Sequence, residues 1–226
     1  MRYLDEILER RRRSHCVKRY RRAWSRQRGN VDSDTSLRYS DANPGEDAMR
    51  KVVAYELLSL DGVAEQPEEF ITDFDDEMEK NLLRVITSQD TVLLGRGTFD
   101  DWAEFWPTSD IQPFADFING VEKFVATSTT PSRTWHNSTI IDGDVSQFVT
   151  ELKQMPGGDI GVHGSITLLQ SLFEVGLVDE LRLVVAPALA MHGLKLFDKG
   201  LPSRLALTRQ VASPAGYLLL DFQFEG

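Results

Sequence analysis

The chain has 226 residues, enough for one domain of ordinary size with an appendage, and 41% of them are hydrophobic, which suffices for a packed core. No apolar run approaches the roughly 20 residues of a membrane-spanning helix. The single cysteine, Cys16, excludes an intrachain disulfide and a cysteine-based zinc site, and the four histidines lack a metal-ligand spacing. The composition therefore predicts a soluble, cytoplasmic protein with neither a membrane segment nor a bound metal.

Charge is unevenly distributed along the chain. Residues 1–48 hold 12 Lys and Arg against 8 Asp and Glu, whereas residues 49–226 hold 13 against 27. The main body is thus acidic, and the net charge of the whole chain is −10. Because nucleic-acid binding depends on neutralising phosphates with basic side chains, the acidic body argues against nucleic acid as a partner.

The first 48 residues carry two basic runs, at 10–13 and 18–22. One hypothesis is an arm that binds nucleic acid or another acidic surface. A twin-arginine export signal is not supported, because no apolar segment follows the arginines. We favour a third interpretation, a poorly ordered extension joined through the polar stretch 30–47 to a domain at 49–226. Met49 directly precedes the first predicted strand and is therefore a candidate start of translation.

From Met49 onward, strand patterns alternate with helix patterns. Strands are predicted at residues 51–58, 91–94, 123–127, 138–141, 160–162, 180–186, 205–211 and 217–224. Helices are predicted from a cap at Thr72 or Asp73 to about residue 87, and at 99–105, 114–120, 144–155 and 166–175. Repeated β-α units that finish in a hairpin predict an α/β, three-layer α/β/α sandwich with a mixed, mostly parallel sheet and a C-terminal antiparallel hairpin.

The most informative stretch is 157–165, which reads Gly-Gly-Asp-Ile-Gly-Val-His-Gly-Ser. It predicts a short buried strand, a turn at residues 163–165 and a helix that begins next. Backbone N–H groups at such a helix start are free to bind a phosphate, and no side chain larger than serine blocks Gly164 and Ser165. An ordinary strand–helix turn that happens to contain a glycine explains the pattern equally well.

Several motifs in this order carry a family resemblance. They are Ser-Leu-Asp-Gly at 59–62, Thr-Val-Leu-Leu-Gly-Arg-Gly-Thr-Phe at 91–99, Trp-Pro at 106–107, the stretch 157–169, Gly-Leu-Val-Asp-Glu-Leu-Arg-Leu at 176–183 and Gly-Leu-Lys-Leu-Phe at 193–197. Together they resemble the RibD C-terminal reductase domain of riboflavin biosynthesis, in particular the stand-alone members of this dihydrofolate-reductase-like superfamily. The resemblance covers about residues 49–224 and implies a dihydrofolate-reductase-like fold.

The resemblance also implies a reduced nicotinamide cofactor, NADPH, with NADH as the alternative. The residues that it implies for cofactor binding are Gly95, Arg96, Thr98, Ser128, Thr129, Gly161, His163, Gly164 and Ser165. Arg96 at a turn supplies a fixed cation with fork-shaped donors, although a surface ion pair with Asp100 or Asp101 is an alternative role. The alternative for His163 is a packed turn residue without a ligand.

Two departures from the family concern the choice of cofactor. The family often has basic residues where this chain has Gly97 and Thr129, and both positions would neutralise a 2′-phosphate. Arg133 in the same loop is a candidate to compensate. We therefore expect NADPH, with the preference over NADH in question.

The residues predicted at the substrate end are Ser59, Asp61 and Trp106. Asp61 is the candidate proton donor or substrate-orienting group, with a turn cap as its alternative. Trp106 and Trp102 are candidates to stack on a planar ring, or else core residues. Where riboflavin-pathway reductases carry a basic residue after this motif, the chain has Val63.

These implications give two classes of function. The first is an NADPH-dependent oxidoreductase that reduces the small molecule 5-amino-6-(5-phosphoribosylamino)uracil, or else another heterocyclic or carbonyl substrate. Hydride transfer needs positioning and water exclusion more than an activated nucleophile, so no Ser-His-Asp or Cys-His arrangement is required. The second class is a non-catalytic nucleotide-binding regulator. The family resemblance further implies a homodimer.

Overall fold

The computed structural model describes residues 49–198 and 203–225. The predictions made for the extension at 1–48 lie outside these described residues. Within them, no helix has both the length and the apolar character that crossing a bilayer requires.

The described residues form one sheet of eight strands. The strands are β1 (Val52–Leu58), β2 (Gln89–Gly95), β3 (Glu122–Ala126), β4 (Ser138–Ile140), β5 (Asp159–His163), β6 (Glu180–Val185), β7 (Leu205–Ala212) and β8 (Leu218–Phe224). Their spatial order is β4-β3-β2-β5-β1-β6-β8-β7. The six strands from β4 to β6 in this order are parallel, while β8 runs antiparallel to β6 and β7 antiparallel to β8. The predicted mixed sheet with a C-terminal antiparallel hairpin is confirmed.

Helices cover both faces of the sheet. They are α1 (Asp76–Thr87), α2 (Arg96–Phe105), α3 (Phe114–Gly120), α4 (Val145–Lys153) and α5 (Ile166–Glu174). Buried residues of α1, α2 and α3 belong to one hydrophobic cluster, and those of α4 and α5 belong to the other. Because strand side chains alternate between faces, each cluster takes every second residue of the central strands. The three-layer α/β/α architecture follows.

The start of α1 differs from the prediction. Its N-cap is Asp75, whose side chain accepts a hydrogen bond from the Met78 N–H, and not Thr72 or Asp73. The N–H groups of Thr72 and Asp73 instead donate to the Tyr217 hydroxyl. An Asp-rich segment offers several possible caps, and a tertiary contact from the hairpin decides between them.

Two other predicted helix ends are confirmed. Asp144 caps α4 by accepting the Gln147 N–H. Gly176, with φ +67°, follows α5 in the left-handed conformation. The N–H groups of residues 176 and 177 donate to the carbonyls of residues 173 and 172, which is the Schellman pattern.

Gly157 and Gly158 lie at the amino end of β5, and this limits the predicted phosphate-binding stretch. Arg50 Nε donates to the Gly158 carbonyl at 2.7 Å, and its guanidinium pairs with Asp90. A Cβ on Gly158 would lie 2.6 Å from the Ser88 carbonyl oxygen. Since a strand rises about 3.3 Å per residue, these glycines lie more than 10 Å from residue 164. They serve close packing, and only the carboxyl end of β5 remains a candidate site.

Lys123 of β3 is fully buried, and its side chain reaches the carboxyl end of α3. Its Nζ donates to the carbonyls of Ile118 and Val121 at 2.9 and 2.7 Å, and it lies 4.8 Å from the centre of the Trp135 ring. Carbonyl groups at a helix C-terminus and an aromatic face both attract a cation. Burial nevertheless lowers the pKa of Lys123 to about 8.

We expect this lysine to make stability depend on pH. Between about pH 8 and pH 10.5 the unfolded chain holds the Lys123 proton and the folded chain does not, so the free energy of unfolding should rise with pH, by about 1–3 kcal/mol in total. Urea denaturation of the wild type and Lys123→Met across this range measures the effect. The rise should disappear in the variant; an equal rise in both proteins would assign it to other groups.

Candidate functional site

The carboxyl ends of β2 and β5 form the most promising edge of the sheet. These strands are neighbours, but the helices that follow them pack on opposite faces. The chain therefore leaves the sheet in opposite directions after Gly95 and after His163, which makes this position a topological switch point of the sheet. In open α/β sheets, ligands bind at this kind of topological switch point.

Two hydrogen bonds join the two turns. The Gly95 N–H donates to Ser165 Oγ at 2.9 Å, and Thr98 Oγ1 donates to the Gly164 carbonyl at 3.0 Å. The starts of α2 and α5 are thereby held side by side. We call residues 95–98 and 164–167 the two-helix cradle.

Neither helix start in the two-helix cradle is capped by a side chain. Gly95 is the N-cap residue of α2 and has no side chain to offer. Ser165 is the N-cap residue of α5, but its hydroxyl accepts from Gly95 and makes no capping bond. Backbone N–H groups in both first turns thus lack an intrahelical or capping partner, and both helix dipoles present their positive ends here. This arrangement suits an anion with two charged groups, such as a pyrophosphate.

Arg96 adds a positive charge at the rim of the two-helix cradle. Its Nε donates to Asp100 Oδ2 at 2.8 Å, and its NH1 group donates to the Thr129 hydroxyl. The ion pair with Asp100 was one alternative for Arg96, and here it orients a guanidinium whose side chain is still 38% exposed. The structure thus brings Arg96 and Thr129 together, with Ser128 exposed on the adjoining loop. Arg133 instead pairs with Glu104 on the outer side of α2.

Gly164 is the point at which a side chain would obstruct the two-helix cradle. Its φ of +60° lies in the left-handed region that glycine tolerates best. A Cβ there would lie 3.1 Å from the ring of Trp102, which is partly buried beside the turn. The glycine therefore keeps the turn tight, and its surface stays exposed.

Gly161 and the His163 ring lie beneath the cradle, away from its surface. His163 is 2% exposed and packs edge-on against the rings of Phe114 and Phe117. Its Nε2 lies 2.7 Å from Gln89 Oε1, and burial lowers its pKa to about 3, which keeps the ring neutral. A Cβ on Gly161 would lie 2.3 Å from the same Gln89 oxygen. The geometry gives both residues a packing role, and it favours the alternative considered for His163 over the implied side-chain contact.

Asp61 fastens two loops together. It accepts hydrogen bonds from the Ser59 hydroxyl at 2.8 Å and from the N–H groups of Ala190 and Met191 at 2.9 and 3.0 Å. These bonds, the Ala190 N–H first, lower the pKa of Asp61 to about 2. An ionised carboxylate has no proton to give at neutral pH, so this geometry favours the structural alternative over the predicted proton donor.

Ser59 and Trp106 are also less open than the predicted substrate contacts require. Ser59 is 1% exposed, and its hydroxyl accepts the Val63 N–H within the turn. Trp106 is 4% exposed and packs edge-on against Phe114 and Trp102 in the core. The geometry favours the core alternative for Trp106, and Trp102 is the more accessible of the two indoles.

Sequence reasoning missed Glu56, the third residue from the end of β1. This carboxyl is 3% exposed and accepts a hydrogen bond from the Gly164 N–H. Its Oε1 has no hydrogen-bond partner among the described residues, and burial raises its pKa to about 8. The available signal was a single acid within the apolar run Val-Val-Ala-Tyr-Glu-Leu-Leu at 52–58.

The chain is similar in sequence to proteins of Bacillus subtilis (strain 168). YyaP of Bacillus subtilis (strain 168), an uncharacterized protein, is 31% identical over 113 residues, which are 48% of this chain and 59% of YyaP. The chain thus matches about three fifths of the length of that relative.

Solved structures share the fold at low sequence identity. A protein assigned to riboflavin biosynthesis from Shewanella sp. PV-4 superposes with a TM-score of 0.64 at 14% identity, covering 78% of this chain and 99% of that one. Dihydrofolate reductase from Enterococcus faecalis, complexed with NADP(H), gives 0.51 at 13% identity and covers 78% and 97%. The fold is accordingly dihydrofolate-reductase-like.

The family comparison covers most of the described chain. The model of the RibD C-terminal domain matches residues 50–219, a range that contains both turns of the two-helix cradle and the strand of Glu56. By this match, the chain belongs to the RibD C-terminal domain family.

Proposed function

We propose that this protein is an NADPH-dependent reductase. The observation that carries the proposal is the pair of uncapped helix starts at the carboxyl edge of the sheet, joined by the Gly95–Ser165 hydrogen bond. The pyrophosphate of a dinucleotide presents two linked phosphates that two adjacent helix N-termini can hold. Membership of a family named for a riboflavin-pathway enzyme supports the same ligand class.

The residues of the two-helix cradle fit such a cofactor. Backbone N–H groups at the starts of α2 and α5 would hold the pyrophosphate, and the Arg96 guanidinium would neutralise it from the rim. Thr129, which already positions Arg96, would lie towards the adenosine side. Gly161 and His163 would support the turn from below without touching the ligand.

Preference between NADPH and NADH depends on a cation for the 2′-phosphate. Gly97 is exposed, and a Cβ there would meet no heavy atom within 4 Å, so a larger side chain fits without strain. We expect Gly97→Arg to tighten NADPH binding about tenfold, because it adds a charge-assisted hydrogen bond to a phosphate. Fluorescence titration with both cofactors measures it, with Gly97→Ala as control. An equal gain for NADH would place residue 97 away from the 2′ position.

Hydride transfer requires few specific side-chain groups. A bound reduced nicotinamide supplies a hydride to a carbonyl or imine carbon. The chain would bind, orient and shield the reactants, and this positioning accounts for most of the rate. Neutral His163 and ionised Asp61 would keep their protonation states through neutral pH.

For the substrate we propose 5-amino-6-(5-phosphoribosylamino)uracil, the substrate that the family resemblance implies. Val63 is buried and does not replace the missing basic residue, while the nearby Glu65 carboxylate accepts the Leu194 N–H. Neither Val63 nor Glu65 offers a positive charge to the phosphate of this substrate. Another planar heterocycle or carbonyl compound without a phosphate is therefore the second candidate.

Turnover assays separate these candidates. The protein should oxidise NADPH in the presence of the aminouracil phosphoribosyl compound, as followed by the loss of NADPH absorbance. Turnover only with unphosphorylated heterocycles would favour the second candidate. Tight NADPH binding without turnover of either class would support a nucleotide-binding regulator. Sedimentation analysis of the same sample tests the homodimer that the family resemblance implies.

A further inference from the structure

Glu56 places a carboxyl group on a face of β1 whose other buried side chains are apolar. It lies on β1 in register with Leu183 of β6 and one position beyond the Tyr55–His163 pair of β1 and β5. Its own face of β1 contributes Ala54 and Leu58 to the hydrophobic cluster beneath α4 and α5. An acid in such a position is costly unless it has a specific role.

The hydrogen bonds of Gly164, in one turn of the two-helix cradle, suggest a role for Glu56. The Gly164 N–H donates to the Glu56 carboxyl, while the Gly164 carbonyl accepts from Thr98 Oγ1. The N–H of Gly164 is thus held by the central strand β1, and the carbonyl of Gly164 is held by α2. Ser165 comes next and is tied to Gly95. Of these partners, Glu56 lies on the central strand β1 and Gly95 ends the neighbouring sheet strand β2.

The surroundings leave the charge of Glu56 uncompensated. On β6, Glu180 and Arg182 pair with each other, and the facing residue is Leu183. The first turn of α5 contributes Ile, Thr and Leu at 166–168 and no charged side chain. His163 on β5 is neutral and packs on the opposite face. The acid is therefore best accommodated with its proton on.

We propose that Glu56 is the positioning residue of the two-helix cradle, and that an anion binds the cradle strongly only while the Glu56 carboxyl carries its proton. The identity of the anion as a dinucleotide pyrophosphate rests on the proposed function; the role of Glu56 does not. An ionised Glu56 would put a negative charge directly behind the turn that receives the phosphates. Binding and protonation are then linked, and each favours the other.

The direction of the pH effect follows from this linkage. The pKa of Glu56 is raised to about 8, so the carboxyl is neutral at pH 7 and ionises above pH 8. Affinity for the anion is therefore close to its full value at pH 7, is about halved near pH 8 and is roughly tenfold lower by about pH 9. The Glu56→Gln variant keeps an acceptor for the Gly164 N–H and removes the ionisation.

Cofactor titration tests the proposal. NADPH binding, followed by tryptophan fluorescence, should weaken about tenfold from about pH 7 to pH 9 in the wild type and less than about twofold in Glu56→Gln. Glu104→Gln, which removes an exposed acid paired with Arg133, is the matched control and should fall like the wild type. An equal fall in the wild type and Glu56→Gln would overturn the proposal.

A second measurement needs no cofactor. In the free wild-type protein, the Gly164 amide ¹⁵N shift should titrate with a midpoint near pH 8, and this step should vanish in Glu56→Gln. A flat Gly164 signal in the wild type would overturn the proposal even if the variant failed to fold. If NADPH binds at no pH, the proposed function fails, and inorganic pyrophosphate replaces it as the probe for Glu56.

Discussion

Replacing Arg96 with glutamine is expected to weaken NADPH binding about 30-fold, which corresponds to about 2 kcal/mol. Arg96 is held at the rim of the two-helix cradle by Asp100 and Thr129, so its guanidinium is positioned before a ligand arrives. A positioned cation loses little side-chain entropy on binding a phosphate, and its hydrogen bonds are charge-assisted. Fluorescence or calorimetric titration at low salt measures the loss.

Arg133→Gln is the matched control for this prediction. It removes the same charge from the neighbouring loop, where Arg133 pairs with Glu104. Long-range electrostatics alone would weaken binding equally in both variants, whereas a specific contact affects only Arg96→Gln. Arg96→Lys should fall between the wild type and Arg96→Gln, because it keeps the charge but loses the planar fork. Equal losses in Arg96→Gln and Arg133→Gln would contradict a phosphate contact by Arg96.

Replacing Gly161 with alanine is expected to lower the free energy of unfolding by about 2–3 kcal/mol. The new methyl group would meet Gln89 Oε1 at 2.3 Å and His163 Nε2 at 2.9 Å inside a central strand. Relief requires moving Gln89, which would break the hydrogen bond between the Gln89 and His163 side chains. Urea denaturation with a constant m-value measures the loss.

The NADPH affinity of the same variant tests whether Gly161 contacts the cofactor or only supports the turn above it. If it supports the two-helix cradle from below, the folded variant should bind NADPH within a few-fold of the wild type. A large loss of affinity with unchanged stability would instead place Gly161 in direct contact with the cofactor. Gly120→Ala is the control, since a Cβ at that helical glycine meets nothing within 4 Å. It should leave the affinity unchanged and raise the free energy of unfolding by about 0.4–1 kcal/mol, opposite in sign to the effect of Gly161→Ala.

The sequence was most informative about the candidate binding site that backbone groups form at the helix starts. Glycines and small polar residues near 95–98 and 164–165 mark the starts of two helices that follow buried strands, although α2 begins at Arg96, three residues before the predicted start. The fold class followed from the order of strands and helices together with the C-terminal hairpin. Both ends of each of the eight strands lie within two residues of their predicted positions.

It was less informative about where side chains point. Whether His163 faces a ligand or the core depends on the register of β5 against β1 and β2, which no local pattern states. Asp61 acquires its partners from a loop 129 residues later in the chain. Burial of Glu56 follows from the packing of helices on both faces. These features are tertiary, so composition and spacing could not supply them.

The two-helix cradle is expected to hold the pyrophosphate of a nicotinamide dinucleotide. A crystal structure of the complex with NADPH would show this at atomic detail. We predict pyrophosphate oxygens within about 2.7–3.2 Å of backbone nitrogens at the starts of both α2 and α5, with the Arg96 guanidinium beside them. A dinucleotide bound elsewhere, or one whose phosphates touch neither helix start, would contradict it.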